Sequence, residues 1–276
     1  MEVKVFATGF TFPEGPAFDR QGNLFVGNMR PPKLGIVHKV TPHGVVSEFV
    51  NTGGAVNGLA FHPGGDMYAA DARLGILRIT PRGEVAVFAS EYQGRHFGGP
   101  NDLVFDSQGV IYFTDPVRRP VPDPCISPVF KVYPDGRVEP FAEDFVFPNG
   151  IGLSPDERTV YIVESRADRI TRVAINPDGT AGKRDLLYQF PAGEHPDSMA
   201  VDEDGNILAA MLGKGVIAVV SPGGSLLEEM PAGGARPSNV CFGGPEFRRL
   251  YITETETNSV TMVGYSRRGL KLYGDR

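Results

Sequence analysis

The chain has 276 residues, 41% of them apolar and 22% charged, with a net charge of −6. That balance describes an ordinary globular protein and argues against nucleic acid or an anionic membrane surface as the main partner. Two cysteines, Cys125 and Cys241, are too few for a disulfide framework or a Cys-based zinc site, and no stretch reaches transmembrane length.

The first predicted element is the N-terminal VKVFATGFTFPEG. It lacks the basic start and long apolar run of a signal peptide, so a soluble, cytoplasmic location is expected. The same segment matches RVEPFAEDFVFPNG, which precedes Asn149 and reads as the fourth strand of a sheet. From Glu14 onward one pattern recurs six times: EGPAFDRQGNLFVGN at Glu14, NGLAFHPGGDMYAAD at Asn57, NDLVFDSQGVIYFTD at Asn101, NGIGLSPDERTVYIVES at Asn149, DSMAVDEDGNILAAM at Asp197 and SNVCFGGPEFRRLYITE at Ser238. Each copy reads as a strand, a turn and a second strand. Third strands follow at Ile36, Gly75, Val129, Arg169, Gly215 and Ser259, and fourth strands such as those at Val45 and Glu84 complete each unit.

A period of roughly 40–50 residues built from short strands predicts a propeller. The expected fold is all-β: six four-stranded antiparallel blades in a single domain over 1–276, with the N-terminal strand completing the C-terminal blade and removing a free edge. Asp202, Glu203 and Asp204 resemble a calcium loop at first sight, but the EF-hand spacing is absent and they read as turn residues.

The fourth position of each copy is small (Ala17, Ala60, Val104, Gly152, Ala200, Cys241) and the fifth is mostly large (Phe18, Phe61, Phe105, Leu153, Val201, Phe242). Small side chains suit strands crowded at a propeller axis, and large ones fill the space between blades. The first strands should therefore line the channel. Their first residues, Glu14, Asn57, Asn101, Asn149, Asp197 and Ser238, then form a ring of oxygen donors at one end. Carboxylate and amide oxygens without Cys or His suit a hard divalent cation such as Ca²⁺, with Zn, Mn or Mg as further possibilities. The second strands end on the same face with Asn28, Asp71, Asp115, Glu164 and Glu254, placing Asp115 with Asn57 and the nearby His96 as candidates for lining a substrate mouth. The Arg-Arg pairs beginning at Arg118 and Arg248 read as exposed loop charges. No GxSxG elbow or Walker loop is present.

The motifs FPEGPAF around Glu14, PNDLVFDSQGVIYFTDP around Asn101, FPNGIGLSPDERTVYIVES around Asn149 and HPDSMAVDEDGN around Asp197, in this order and over nearly the whole chain, resemble the senescence marker protein/gluconolactonase/luciferin-regenerating family of six-bladed propellers. The resemblance implies a metal triad of Glu14, Asn149 and Asp197, a substrate-contacting Asn101 that also approaches the ion, and Ser198 as a ligand used in some relatives. Sugar-lactone members often carry an Arg two residues before the substrate Asn, where this chain has Gly99. The implied activity is metal-dependent hydrolysis of a small-molecule lactone, such as gluconolactone, to the hydroxy acid, with Asp197 as general base. Hydrolysis of a phosphotriester or fluorophosphate at the same site, or a non-catalytic scaffold, are the alternatives. The oligomeric state is not readable from the sequence.

Overall fold

Turn-forming residues and alternating apolar positions divide the chain into short strands, and these assemble as six four-stranded antiparallel sheets in a computed structural model that describes residues 2–118, 123 and 126–275. Blade 1 takes Pro13–Phe18, Leu24–Asn28, Ile36–Val40 and Val46–Asn51. Blades 2 to 5 begin at Val56, Leu103, Pro148 and Pro196. Blade 6 combines Pro237–Gly243, Arg249–Glu254 and Ser259–Gly264 with the N-terminal Lys4–Thr8, which pairs antiparallel to Ser259–Gly264. The predicted closure is present. Blade 3 departs slightly: its first strand starts at Leu103, after Asn101, and a short hairpin of Glu91–Tyr92 with Arg95–His96 precedes it. Cys125 and Arg119 lie outside the described residues.

The alternation of small and large positions explains how the blades mesh. Phe18 packs edge-on against Tyr251 of blade 6, Phe61 against Phe25 of blade 1, and Phe105 against Tyr68 of blade 2. Each large fifth residue thus wedges against the preceding blade, where it adds apolar burial and favourable ring contacts. The small fourth residue receives the next blade: a side chain at Gly152 would press on Val201 and Met199. Turn aspartates tie their hairpins: the buried Asp202 accepts bonds from the amides of Asp204 and Asn206 at 3.0 and 2.8 Å, as a turn residue should.

The C-terminal segment runs across one end of the channel between the first strands. Leu270 donates its amide to Val201 at 3.0 Å, Gly269 bridges to Asp202, and Tyr273 packs on Phe105 and His62. Leu270, Leu272, Tyr273 and Gly274 line the cavity from below, opposite the strand starts.

The residues that end the second strands do a common job. Asn28 accepts the Thr11 amide, Asp71 the Ala55 amide, Asp115 those of Gly98 and Gly99, Glu164 that of Val146, and Glu254 that of Arg236, all at 2.7–3.1 Å. Each carries an oxygen to the segment entering its own blade, two or three residues before the first position of that copy. Asp71 also accepts from the Arg73 and Leu74 amides and the Thr52 hydroxyl. Buried donors left unpaired cost about 1–3 kcal/mol each. Asp71→Ala should therefore lower the melting temperature by about 5–10 °C. A shift below about 2 °C in a calorimetric scan would remove this latch from the stability of the fold.

Candidate active site

Five of the six first positions follow a proline: Pro13, Pro100, Pro148, Pro196 and Pro237. Three of these entries share a rarer feature. Phe12, Phe147 and His195, immediately before the proline, have φ of 53°, 53° and 45°. Left-handed backbone is disfavoured for such residues, and more so before proline, so surrounding contacts must hold it. The Asn258 side chain accepts the Phe12 amide at 2.8 Å, and Asp168 accepts the His195 amide at 2.7 Å. The residues delivered by these kinks are Glu14, Asn149 and Asp197. A register shift follows each of them in the ladder to the second strand, the kind of bulge that re-aims a side chain.

All three are buried, and the Asn149 side-chain amide donates to Asp197 Oδ1. Burial pushes the Asp197 carboxyl up to about 7, against the pull of the Arg118 charge and the Asn149 amide, with the Asp102 carboxylate adding to the rise. Burial likewise holds Glu14 well above the usual carboxylate range, reinforced by Asp197 and Asp102 and opposed by the Ser238 hydroxyl. Asp102 is pushed to about 6 by burial, partly countered by the Ser198 hydroxyl and the Leu103 amide. Three mutually repelling buried carboxylates form the floor of the site. Glu14, Asn149 and Asp197 offer only oxygen donors to a metal ion; among the described residues no three His, Cys, Asp or Glu side chains are grouped around one ion position. An amide oxygen from Asn149, presented by turning its side chain over, would complete a hard-cation set with Glu14 and Asp197. These residues fit a divalent cation.

The remaining ring members are also buried. Asn101 is anchored by its backbone, which donates to Thr114 O at 2.9 Å and accepts from Gly58 at 2.8 Å. Asn57 lies beside Gly15, whose missing side chain lets the Asn57 carbonyl approach. Ser238 donates to Pro13 O at 3.0 Å, linking blade 6 to blade 1. Ser198 reaches past Gly150 of the intervening blade and donates to Asp102. Both oxygens of Asp115 are engaged by the Gly98 and Gly99 amides at 2.8 Å each, so this residue holds the loop before Asn101. His96 is solvent-exposed on its hairpin.

Two residues were not legible as site components. Asp102 occupies the second position of its copy, where three other copies have glycine. Gly58 is one of these, and a side chain there would collide with the Asp102 carboxylate. A comparison of second positions would have exposed this. Arg118 was expected to be an exposed loop charge. Instead its side chain is half-buried and lies over Gly99, where an added Cβ would come within 2.9 Å of its Cδ. Its Nε donates to Gly99 O at 3.3 Å. The space left by the glycine is the physical reason for the difference.

The region profile described as SMP-30/Gluconolactonase/LRE-like matches residues 12–256. Gluconolactonase of Zymomonas mobilis is 30% identical over 276 residues, covering 87% of this chain and 76% of that protein. The solved structure of a gluconolactonase from Xanthomonas campestris is 27% identical, with a TM-score of 0.83 over 95% of this chain and 89% of that one. The fold is shared as well with a calcium-binding protein, regucalcin, from Agrobacterium tumefaciens, at 20% identity and a TM-score of 0.82, over 98% of both chains.

Proposed function

The chain belongs to the SMP-30/gluconolactonase/LRE-like family, and from that premise we propose that it hydrolyses a lactone, of the aldonolactone type, to the hydroxy acid. The observation that supports this reading is the buried Glu14–Asn149–Asp197 cluster, with its oxygen-only donors and a carboxyl at Asp197 pushed up to about 7. Glu14, Asn149 and Asp197 would hold a divalent cation, calcium first, which when bound supplies a Lewis acid for the lactone carbonyl.

The chain's own residues then have separable tasks. Asp197 accepts a proton from the attacking water through the carboxylate oxygen turned away from Asn149. The water oxygen bonds to the carbonyl carbon. On collapse the bond to the ring oxygen breaks, and that oxygen takes the proton held by Asp197 to become the hydroxyl of the product, which returns Asp197 to its carboxylate form. Asn101 and Asn57 present amides that orient the ring by hydrogen bonds. Asp102, bonded by Ser198, adds negative charge beneath the site and keeps Asp197 a better base. Asp115 fixes the loop that sets Asn101, as Asp168 fixes the backbone before Asp197.

A pH-stat assay of acid release from aldonolactones and simple lactones tests the proposal. Hydrolysis that falls on chelation and returns with Ca²⁺ is the expected result. Turnover of phosphotriesters or fluorophosphates instead would redirect the same site to phosphoryl chemistry. No metal-dependent turnover of either class would leave a scaffold.

A further inference from the structure

Above the acidic floor, the same end of the channel carries a basic rim. Arg118 sits with its guanidinium 5.6 Å from the centroid of the Phe147 ring, and Arg166 approaches that ring at 4.4 Å. The Phe147 ring is held by the left-handed turn that also delivers Asn149. Arg236 immediately precedes Pro237 and Ser238 on the same face, and its charge, like that of Arg118, is felt at Asp197. The Arg118 Nη2 atom is buried and has no hydrogen-bond partner among the described residues. A guanidinium donor taken from water and left unbonded is costly unless a ligand supplies the acceptor. Contact with Gly99 and Phe147 fixes its plane, so the fork is preorganised rather than mobile.

From this geometry we infer that the substrate carries an oxyanionic group, a carboxylate or a phosphate, in addition to its lactone ring, and that Arg118, flanked by Arg166, binds that group at the mouth of the channel. The inference rests on the lactonase reading for the ring and on the arginine geometry for the anion. Hydroxyl groups of a neutral sugar would be served by the amides of Asn57 and Asn101. Two guanidinium groups on one aromatic ring match a planar or tetrahedral oxyanion far better. The site then has two poles: the floor attracts a cation to the scissile carbonyl, while the rim attracts the far end of the substrate.

The test compares three lactones of one ring size on the calcium-loaded protein: one bearing only hydroxyls, one a carboxylate and one a phosphate. One charged lactone is expected to exceed the neutral one in kcat/KM by about tenfold or more, and which one does so distinguishes carboxylate from phosphate. Arg118→Gln should lower the charged-to-neutral ratio by about 10–100-fold, the loss expected of a charge-assisted pair. Arg118→Lys, which keeps the charge but not the fork, should lower it less. Arg82→Gln, an exposed arginine in a turn at the other face, is the control. Calorimetry on chelated protein with the open-chain diacid and sugar phosphate separates this inference from the reaction. Anion binding weakened about tenfold or more by Arg118→Gln supports the site even where no lactone turns over. No Arg118-dependent difference in either measurement overturns it.

Discussion

Asp197→Asn should lower kcat by about 10³-fold, in the range expected for loss of a general base, while the protein still binds Ca²⁺ with affinity reduced by about tenfold. The substitution preserves shape and keeps an oxygen for the proposed ion, but removes the group proposed to take the proton. It should also do something unusual for an active-site change, which is to raise the stability of the metal-free protein. Asp197 lies buried beside Asn149, with Glu14 and Asp102 close enough to push up one another's carboxyls. Neutralising one of three repelling charges relieves part of that cost. Turnover within about tenfold of wild type would move the base elsewhere. An unchanged or lower melting temperature in chelator would deny the repulsion.

The second large effect is a reversal of pH dependence on metal removal. Glu14, Asp102 and Asp197 have folded-state pKa values raised above the unfolded range, to about 6 for Asp102 and about 7 for Asp197. The folded chain therefore binds more protons than the unfolded chain between about pH 4 and 7. Without a cation, stability must fall as pH rises through that window and stay low above it. A cation that binds only the ionised, folded site restores stability at high pH, by about 3 kcal/mol at a hundredfold excess over Kd. Melting temperature in chelator should thus be higher at pH 5.5 than at pH 8, by about 5 °C or more. In excess Ca²⁺ the order should invert. Parallel profiles with and without Ca²⁺ would sink the assignment of these carboxylates to an ion site. Asp197→Asn should flatten the chelator profile, which separates this cluster from acids elsewhere.

Much of this architecture could be read from residues because a propeller repeats itself. Six aligned copies located the strands, the small and large positions and the ring, since each rule had to hold in every blade. The closure of blade 6 by Lys4–Thr8 followed from one fourth-strand match. What escaped was whatever the repeat does not enforce. The acids ending the second strands were placed on the correct face, but strand alternation cannot tell whether Asp71 or Asp115 faces the channel or the incoming backbone. Asp102 differs from its counterparts at the second position, so its burial depends on the absence of a side chain one blade away, at Gly58. Arg118 belongs to the connection between the second and third strands of blade 3, which is longer than its equivalents in the other blades. Its inward course depends on Gly99, nineteen residues earlier. Nor does sequence spacing reveal that Phe12, Phe147 and His195 adopt the left-handed conformation, the feature that distinguishes the entries to Glu14, Asn149 and Asp197 from the other three.

The C-terminal segment lies across the lower end of the channel, with Leu270, Leu272 and Tyr273 lining the cavity there, so the strand-start face is the open approach to the site. On the lactonase reading, a substrate would enter and a hydroxy acid would leave past the same arginines. A carboxylate product would meet that basic rim on its way out, so on this reading departure, rather than bond cleavage, would be where turnover slows.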